Sequence, residues 1–323
     1  MANRKKKGSS SSPAAVFITL ILVFLAYLFF AGCDFYNVDI GLDYDLKDLN
    51  IFEYIISKKD IADPFPVPED GEAIYHFIDV GQGDAILVTT AEGNMLVDTS
   101  EDDAREMLDA YLKAAGVTTL KYLVLTHPDA DHIGNADHII NNYHVENVIM
   151  TDHAATSKTY ERLLDAIENT KTNLILPESG YTFSLGAVQN TVIAPNSDYK
   201  DSNEMSLVIK SVYGNTSVML TGDAEEGSEE DILREYSADA LKCDILKVGH
   251  HGSSSSTTAE FLAAVDPSIA IISCGDGNSY GHPHKETVDK LSSGGIAIFR
   301  TDLEGTIVFK TDGETFKRVQ NEE

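Results

Sequence analysis

The chain has 323 residues, enough for one large domain and an appendage, and 43% of them are hydrophobic, enough for an ordinary core. Its formal net charge of −28 disfavours general affinity for polyanions and for anionic membrane surfaces. The cysteines are Cys33, Cys243 and Cys274, and they imply no disulfide framework, although a Cys243–Cys274 bridge could form outside the cell. Cys243 and Cys274 lie in apolar runs and are predicted to be buried free thiols.

The first 33 residues predict a membrane anchor. Residues 1–13 form a basic start, and residues 14–32 carry no charge over a length that can span a bilayer. Because positive flanks remain on the cytoplasmic side, the chain after Cys33 is expected to lie outside the cell. We favour an uncleaved single-pass anchor at residues 14–33. A lipoprotein signal that ends at Cys33 and a cleaved signal peptide are the alternatives.

Residues 34–71 predict a linker between this anchor and the main domain. Aspartates alternate with tyrosine and leucine in its first part, and prolines at 64, 66 and 68 favour an extended chain in its last part. One short helix is predicted near residues 52–57. Residues 72–323 are then predicted to form the main domain.

Beyond residue 72 the hydrophobic pattern predicts an α/β fold. Strands are predicted at residues 74–80, 85–89, 95–97 and 122–125, with a helix at residues 101–115. Helices and strands then alternate at residues 133–142, 145–150, 157–169 and 174–176, which is typical of α/β folds. Shorter strands follow at residues 182–185, 191–193, 206–213, 217–220, 243–248, 269–273, 296–299, 305–310 and 315–319. Further helices are predicted to begin near residues 225, 258 and 285.

Metal-capable side chains cluster directly after the strand at residues 122–125. His127, Asp129, Asp131 and His132 lie on one short loop at the carboxyl end of that strand, where open α/β sheets place their chemistry. Imidazole and carboxylate suit zinc or manganese, and the lack of thiolates argues against a closed structural zinc site. The alternating spacing could feed two neighbouring metal ions.

Two other interpretations of this loop are a solvated acidic turn and a calcium loop. The density of ligands after an apolar strand disfavours a plain turn. The two histidines, and the lack of the glycine and glutamate spacing of calcium loops, disfavour calcium.

Two later strand ends carry further candidates. Asp223 follows Gly222 at the end of a strand, so its carboxylate can approach a metal closely. His250 and His251 follow the strand at residues 243–248 and, being adjacent, point in different directions. One of them is expected to bind metal and the other to contact substrate, and the sequence leaves the choice open.

The motif H-x-D-x-D-H at residues 127–132 resembles the H-x-H-x-D-H motif of the metallo-β-lactamase superfamily. Asp129 departs from the middle histidine, and in this it is similar to the branch that contains the extracellular metal-dependent domain of the competence protein ComEC. Six further motifs agree in family order: FIDVGQGDAILV (77–88), NMLVDTS (94–100), SNEMSLVIK (202–210), MLTGDAE (219–225), LKVGHHGSSSST (246–257) and SYGHPH (279–284).

The resemblance implies a four-layer αβ/βα sandwich of two mixed sheets with helices outside. It also implies a hydrolase with two divalent metal ions, zinc first and manganese as the alternative, that share a hydroxide nucleophile. The implied ligands are His127 and Asp129 for one ion, Asp131, His132 and one of His250 and His251 for the other, and Asp223 as the bridge.

Other residues receive supporting roles from the same resemblance. Asp131 is catalytic as well as a ligand, and His282 is placed to protonate the leaving group. Asp98 is expected to brace the metal loop without binding metal. Asp84 is predicted from its turn, apart from the resemblance, to lie behind the ligands at the rim of the site, and a plain hairpin turn is the alternative.

Four residues are predicted to contact substrate. Asn203 and Ser206 belong to a motif near the pocket, although a loop asparagine and a strand-start serine need no such role. Lys247 could neutralise a phosphate oxygen or be an ordinary lysine at a strand end. Ser253 could hydrogen-bond phosphate or lie in the cap of the next helix.

The predicted function is a membrane-anchored extracellular hydrolase of phosphodiesters, with single-stranded DNA as the substrate that the ComEC-like branch implies. The alternatives are a small phosphodiester such as a phosphorylcholine ester, which the net charge favours over a polyanion, and a non-catalytic surface binding module with a vestigial metal site. β-Lactam hydrolysis is least expected, because Asp129 departs from the lactamase pattern.

Overall fold

A computed structural model describes residues 65–319 of the chain. The predicted basic start, the membrane segment at residues 14–33 and the linker up to residue 64, including its short helix, lie outside these described residues. Within residues 65–319, every helix is too short or too polar to cross a membrane.

Fifteen strands and nine α-helices form the described part of the chain. The strands are β1 (Ala73–Phe77), β2 (Ile86–Thr90), β3 (Gly93–Val97), β4 (Thr119–Leu125), β5 (His144–Met150), β6 (Asn173–Ile175), β7 (Thr182–Leu185), β8 (Val188–Ala194), β9 (Val208–Tyr213), β10 (Thr216–Leu220), β11 (Ile245–Lys247), β12 (Ile269–Ile272), β13 (Ala297–Arg300), β14 (Ile307–Thr311) and β15 (Phe316–Val319). The helices are α1 (Arg105–Ala114), α2 (Ala130–Ile133), α3 (Ala136–Asn142), α4 (Lys158–Thr170), α5 (Glu226–Glu235), α6 (Ala238–Leu241), α7 (Ala259–Val265), α8 (Lys285–Ser293) and α9 (Thr301–Glu304).

The strands form two mixed sheets. The first has the order β15-β14-β1-β2-β3-β4-β5-β6, and the second has the order β13-β12-β11-β10-β9-β8-β7. Strands β3 to β6 run parallel in the first sheet, and β10 to β13 run parallel in the second. The carboxyl ends of parallel strands meet at one edge of a sheet, so the loops after β3 and β4, and those after β10, β11 and β12, are brought together in each sheet.

The core has three layers of apolar side chains. One lies between the two sheets and includes Val88 and Val124 of the first sheet and Ile209 of the second. Another lies between the first sheet and helices α1, α3 and α4, and a third lies between the second sheet and helices α5, α7 and α8. Because Leu123 faces the outer layer and its neighbour Val124 the inner one, β4 is buried on both faces. This is the predicted four-layer sandwich.

The main departure from the predicted elements is the helix after the metal-capable loop. The sequence predicts one helix at residues 133–142, but the structure has α2 and α3, separated at Gly134 and Asn135. A Cβ added at Gly134 would lie 2.4 Å from the carbonyl oxygen of Ser100, so this close backbone approach requires glycine. The Asn135 side chain donates to the carbonyl of Thr99 at 2.9 Å. These contacts tie the loop to β3 instead of continuing the helix.

Cys243 and Cys274 are buried and free, as predicted.

Candidate metal centre

The loop that follows β4 is held against the end of β3 by Asp98. The Asp98 carboxylate accepts hydrogen bonds from the backbone N–H of Thr126 at 2.8 Å and from the Thr126 hydroxyl at 2.7 Å. It also accepts from His132 Nδ1 at 2.8 Å. Asp98 is fully buried and, as the resemblance implied, braces the loop from behind. Since its Nδ1 is engaged, His132 presents Nε2 to the site.

Four side chains converge between the two sheets: Asp131 and His132 from the first sheet, and Asp223 and His251 from the second. Their ligand atoms lie within 4.8 Å of one another. Asp223 Oδ1 is 3.2 Å from His132 Nε2, and Asp223 Oδ2 is 3.4 Å from His251 Nε2. Asp131 Oδ2 is 3.3 Å from His251 Nε2. Asp223 therefore lies between the ligands of both sheets.

Several buried atoms that could bind a metal, in this cluster and directly beside it, have no hydrogen-bond partner. They are His127 Nε2, His132 Nε2, His251 Nε2 and Asp223 Oδ1. An unsatisfied buried polar atom costs about 1–3 kcal/mol, so four at one place need a common explanation. Imidazole nitrogens and carboxylate oxygens without thiolates are a donor set that fits zinc or manganese. The residues present therefore fit a divalent metal centre.

His127 and Asp129 lie beside this cluster. His127 is buried, and its ring centroid is 4.1 Å from that of His132. Its Nδ1 lies 3.3 Å from the Ser206 hydroxyl, and its Nε2 is 3.9 Å from Asp129 Oδ2. The Asp129 side chain is 45% exposed, so this second position opens towards solvent. The loop thus offers two adjacent donor groups, as its spacing predicted.

The structure distinguishes the two adjacent histidines. His251 is buried within the cluster, and its Nδ1 donates to the carbonyl of Ser273 at 2.9 Å, which leaves Nε2 for a metal. His250 Nδ1 lies 2.7 Å from Glu225 Oε1, and its Nε2 is 3.8 Å from Asp223 Oδ2. His251 therefore fits the role of a ligand and His250 lies at the mouth. Both have positive φ, 46° and 51°, an uncommon conformation for non-glycine residues.

Charges in the cluster favour a cation. Burial opposes protonation of His132 and His251, but the carboxylate of Asp223 and its neighbours outweigh burial. They raise the pKa of His132 well above its ordinary value and that of His251 to about 10. Burial and the neighbouring His132 lower the pKa of His127 to about 3. The carboxylates therefore stabilise positive charge at the position between His132 and His251.

Lys247 does not lie where the sequence predicted it. It is fully buried at the end of β11, and its Nζ is 2.9 Å from Asp84 Oδ2 and 3.0 Å from the carbonyl oxygen of Val248. A substrate phosphate cannot reach it there, so the predicted substrate contact is corrected. Asp84 is also buried, not at the rim, and its Oδ1 is 3.6 Å from His251 Nδ1. The pair Lys247–Asp84 thus lies directly behind a metal-capable histidine.

Of the other three predicted substrate residues, Ser206 and Ser253 are buried and Asn203 lies near the mouth of the site. Ser206 is fully buried and accepts a hydrogen bond from the Asp223 N–H at 3.1 Å, so it positions Asp223 instead of contacting substrate. Ser253 is also buried, and its hydroxyl lies 2.8 Å from that of Ser255. Asn203 does lie near the mouth, with Nδ2 3.5 Å from His250 Nδ1.

His282 lies at the mouth of the site. Its ring centroid is 5.2 Å from that of His250, and its Nδ1 is buried without a partner. Burial, with His250 and His251 close by, lowers the pKa of His282 to about 4. The ring is therefore neutral at pH 7, which disfavours the predicted protonation of a leaving group by His282, although its N–H can still donate a hydrogen bond to one.

Two functional contacts were not predicted. Glu225 was interpreted as part of a helix start, and its place before α5 agrees, but its carboxylate also holds His250. The Ser273 carbonyl that orients His251 is a backbone group, so no side-chain motif could have indicated it.

Comparisons with known proteins show the family to which the chain belongs. The family model described as Metallo-beta-lactamase superfamily matches residues 78–276. ComE operon protein 3 of Bacillus subtilis is 33% identical over 252 residues, which are 72% of this chain and 32% of that protein. Competence protein ComA of Neisseria gonorrhoeae is 32% identical over 250 residues, which are 76% of this chain and 33% of that protein. The chain thus spans about a third of the length of these curated relatives.

Among solved structures, the metallo-beta-lactamase fold protein YhfI from Bacillus subtilis superposes with a TM-score of 0.51 at 12% identity. The match covers 74% of this chain and all of that protein. At such low identity the likeness concerns the fold alone, and it agrees with the two packed sheets described above.

Proposed function

The chain belongs to the metallo-beta-lactamase superfamily, in its ComEC-like branch, and from that premise we propose that it is a two-metal hydrolase that cleaves phosphodiester bonds. One observation carries the proposal. Three buried histidine nitrogens and one buried Asp223 oxygen converge without hydrogen-bond partners. A non-catalytic surface would not need such unsatisfied groups beside an opening to solvent.

The donors divide into two positions. Asp131, His132 and His251 would hold one ion, and His127 and Asp129 the other, with Asp223 between them. Two such ions supply a nucleophile at neutral pH and stabilise charge on the attacking and leaving oxygens. Zinc is proposed first, with manganese as the alternative. The chain itself orients the ligands through Asp98, Ser206 and the carbonyl of Ser273.

We propose a DNA strand as the phosphodiester. One of the two relatives is named a competence protein, and a role in competence involves DNA. The exposed side of the centre, at Asp129 and His250, leaves room for a chain to pass over the ions, which supports a strand more than a substrate enclosed on all sides.

A small phosphodiester with a cationic group is the second candidate. It is favoured by an acidic cavity of about 380 Å³ next to His250. The cavity is lined by Glu204, Glu225, Glu226, Gly227, Glu230 and Ser255. Carboxylates on one wall repel a polyanion and attract an ammonium group.

A substrate panel tests these proposals on the full-length protein purified in detergent. We expect stoichiometric metal and cleavage of a single-stranded oligonucleotide that is lost with a chelator and restored by zinc or manganese. Faster cleavage of p-nitrophenyl phosphorylcholine than of DNA would favour the second candidate. A protein that purifies without stoichiometric metal and cleaves none of these compounds would be a vestigial binding module. Hydrolysis of a chromogenic cephalosporin alone would contradict the phosphodiester proposal.

We also propose that residues 14–33 hold the protein in the cell membrane with residues 72–323 outside, as the basic start predicts. Protease added to intact cells should then remove the main domain. A cytoplasmic protein of the same cells serves as the control and should stay intact. A main domain that is cut only after lysis would contradict the outward orientation.

A further inference from the structure

Tyr280 stands out on the surface near the metal centre. Within residues 65–319 it is the one exposed aromatic residue, at 59% exposure. It lies in the loop between β12 and α8. A single exposed apolar residue is common on protein surfaces, so it is the position of this ring next to the candidate active site that points to a contact with substrate.

The Tyr280 ring is connected to the metal centre by a short series of rings. It stacks on His282 with centroids 5.7 Å apart and an interplanar angle of 21°. His282 in turn packs edge-on against His250 at 5.2 Å. His250 Nε2 is 3.8 Å from Asp223 Oδ2. The outward part of the Tyr280 ring is therefore only two side chains away from the proposed bridging carboxylate.

The loop that carries this ring is fixed by Asn278. Asn278 Nδ2 donates to the carbonyls of Gly275 at 2.9 Å and His282 at 2.6 Å. Asn278 Oδ1 accepts from the backbone N–H groups of Tyr280 at 3.2 Å and His282 at 3.0 Å. One side chain thus closes the loop from both directions. A ring held in place in this way loses little entropy when a ligand stacks on it.

We propose that Tyr280 is a specificity-determining residue that stacks on a nucleobase next to the phosphodiester held at the metal centre. The inference rests on the proposed function and goes further, because it assigns recognition of the base to one residue. Every nucleobase has a flat π face, so one ring can accept any sequence. Stacking also needs no positive charge, and it is therefore compatible with a chain of net charge −28.

A quaternary ammonium group fits this ring less well. Such groups are recognised by cages of several aromatic faces. The acidic cavity beside His250 would have to supply the remaining walls, and its lining contains glutamates, Gly227 and Ser255 but neither Tyr280 nor another aromatic residue. The ring and the carboxylates therefore form separate surfaces, and the ring presents one flat platform.

The test uses two probes with equal backbones: a short oligothymidylate and an abasic oligomer of the same length. Binding to the metal-loaded full-length protein is measured by fluorescence anisotropy, and cleavage is followed on the same samples. Tyr280→Ala should weaken binding of the oligothymidylate by roughly 5- to 100-fold, since stacking is worth about 1–3 kcal/mol per base. The abasic oligomer should bind both proteins equally. Tyr280→Phe keeps the ring and should behave like the wild type.

Leu176 is the matched control, because it is also exposed, at 52%, but lies beyond β6 at the far edge of the first sheet. Leu176→Ala should change the binding of neither oligomer. Equal losses for both probes in Tyr280→Ala, or no loss at all, would overturn the inference, as would a wild type that binds neither oligomer. A wild type that binds the oligothymidylate through Tyr280 without cleaving it would refute the proposed hydrolysis and leave the stacking role supported.

Discussion

Replacing Lys247 by methionine is expected to lower the free energy of unfolding by about 3–5 kcal/mol, because it removes the nearest charge partner of a buried carboxylate. Lys247 and Asp84 are both about 99–100% buried, and their charged atoms are 2.9 Å apart. Methionine fills a similar volume, so the loss comes from the charge and not from a cavity. Denaturant unfolding of the metal-free protein, compared with the wild type, measures the effect without a contribution from bound metal.

Two controls separate this pair from salt bridges in general. The exposed pair Lys285–Asp289 lies on the surface of α8, so Lys285→Met should leave the free energy of unfolding essentially unchanged. The double variant Lys247→Met, Asp84→Asn removes the stranded charge and should recover much of the stability that Lys247→Met loses. An unfolding midpoint of Lys247→Met at the wild-type value would mean that Asp84 is neutralised by other means. If Lys247→Met raises KM and leaves the free energy of unfolding unchanged, the substrate contact that the sequence predicted for Lys247 would be supported instead.

The sequence predicted the metal ligands best where they lie close together along the chain. His127, Asp129, Asp131 and His132 lie within six positions after an apolar strand, so their spacing alone indicates a metal loop. Asp223 could be found because a carboxylate after Gly222 ends another strand. In both places the chain direction fixes where the side chain goes, and the packing of the two sheets brings the two strand ends together.

Other assignments depend on tertiary position and could not be read from spacing. His251 enters the cluster and His250 faces Glu225 because both backbones adopt positive φ, which neither residue type predicts. Lys247 is buried because β11 is flanked by β10 and β12 and the Asp84 loop comes from the other sheet. Ser206 lies just before β9, and its hydroxyl accepts a hydrogen bond from the Asp223 N–H. This contact also depends on tertiary position.

Backbone strain marks the same edge of the fold. Asp98 and Ser100 have φ of 60° and 58° after β3, as His250 and His251 do after β11. Such conformations cost of order 1–3 kcal/mol each and persist where surrounding contacts enforce them. Asp98 is held by the Val124 carbonyl and by its contacts with Thr126 and His132, so the strain is maintained by the side chains that orient the ligands.

Asp223→Asn is expected to reduce phosphodiester cleavage by at least about 100-fold, the scale seen when one preorganised charge-stabilising group is removed from an active site. Asp223 is buried, and although burial opposes its charge, His251 and His132 hold its pKa well below the ordinary value. Asparagine has the same size but lacks the negative charge that a position between two dications requires. Both metal positions should therefore weaken together, and metal content by mass spectrometry should fall along with kcat/KM.

The control for this variant is Asp239→Asn. The Asp239 side chain is 92% exposed on α6, and its ion-pair partner within residues 65–319 is Lys242. Asp239→Asn should keep full activity and full metal content, which rules out a general effect of lost negative charge. Asp223 lies in the loop after β10, so circular dichroism should show that Asp223→Asn retains the fold. If Asp223→Asn keeps both metals and wild-type activity, the carboxylate does not bridge the two positions, and the proposed binuclear mechanism is contradicted.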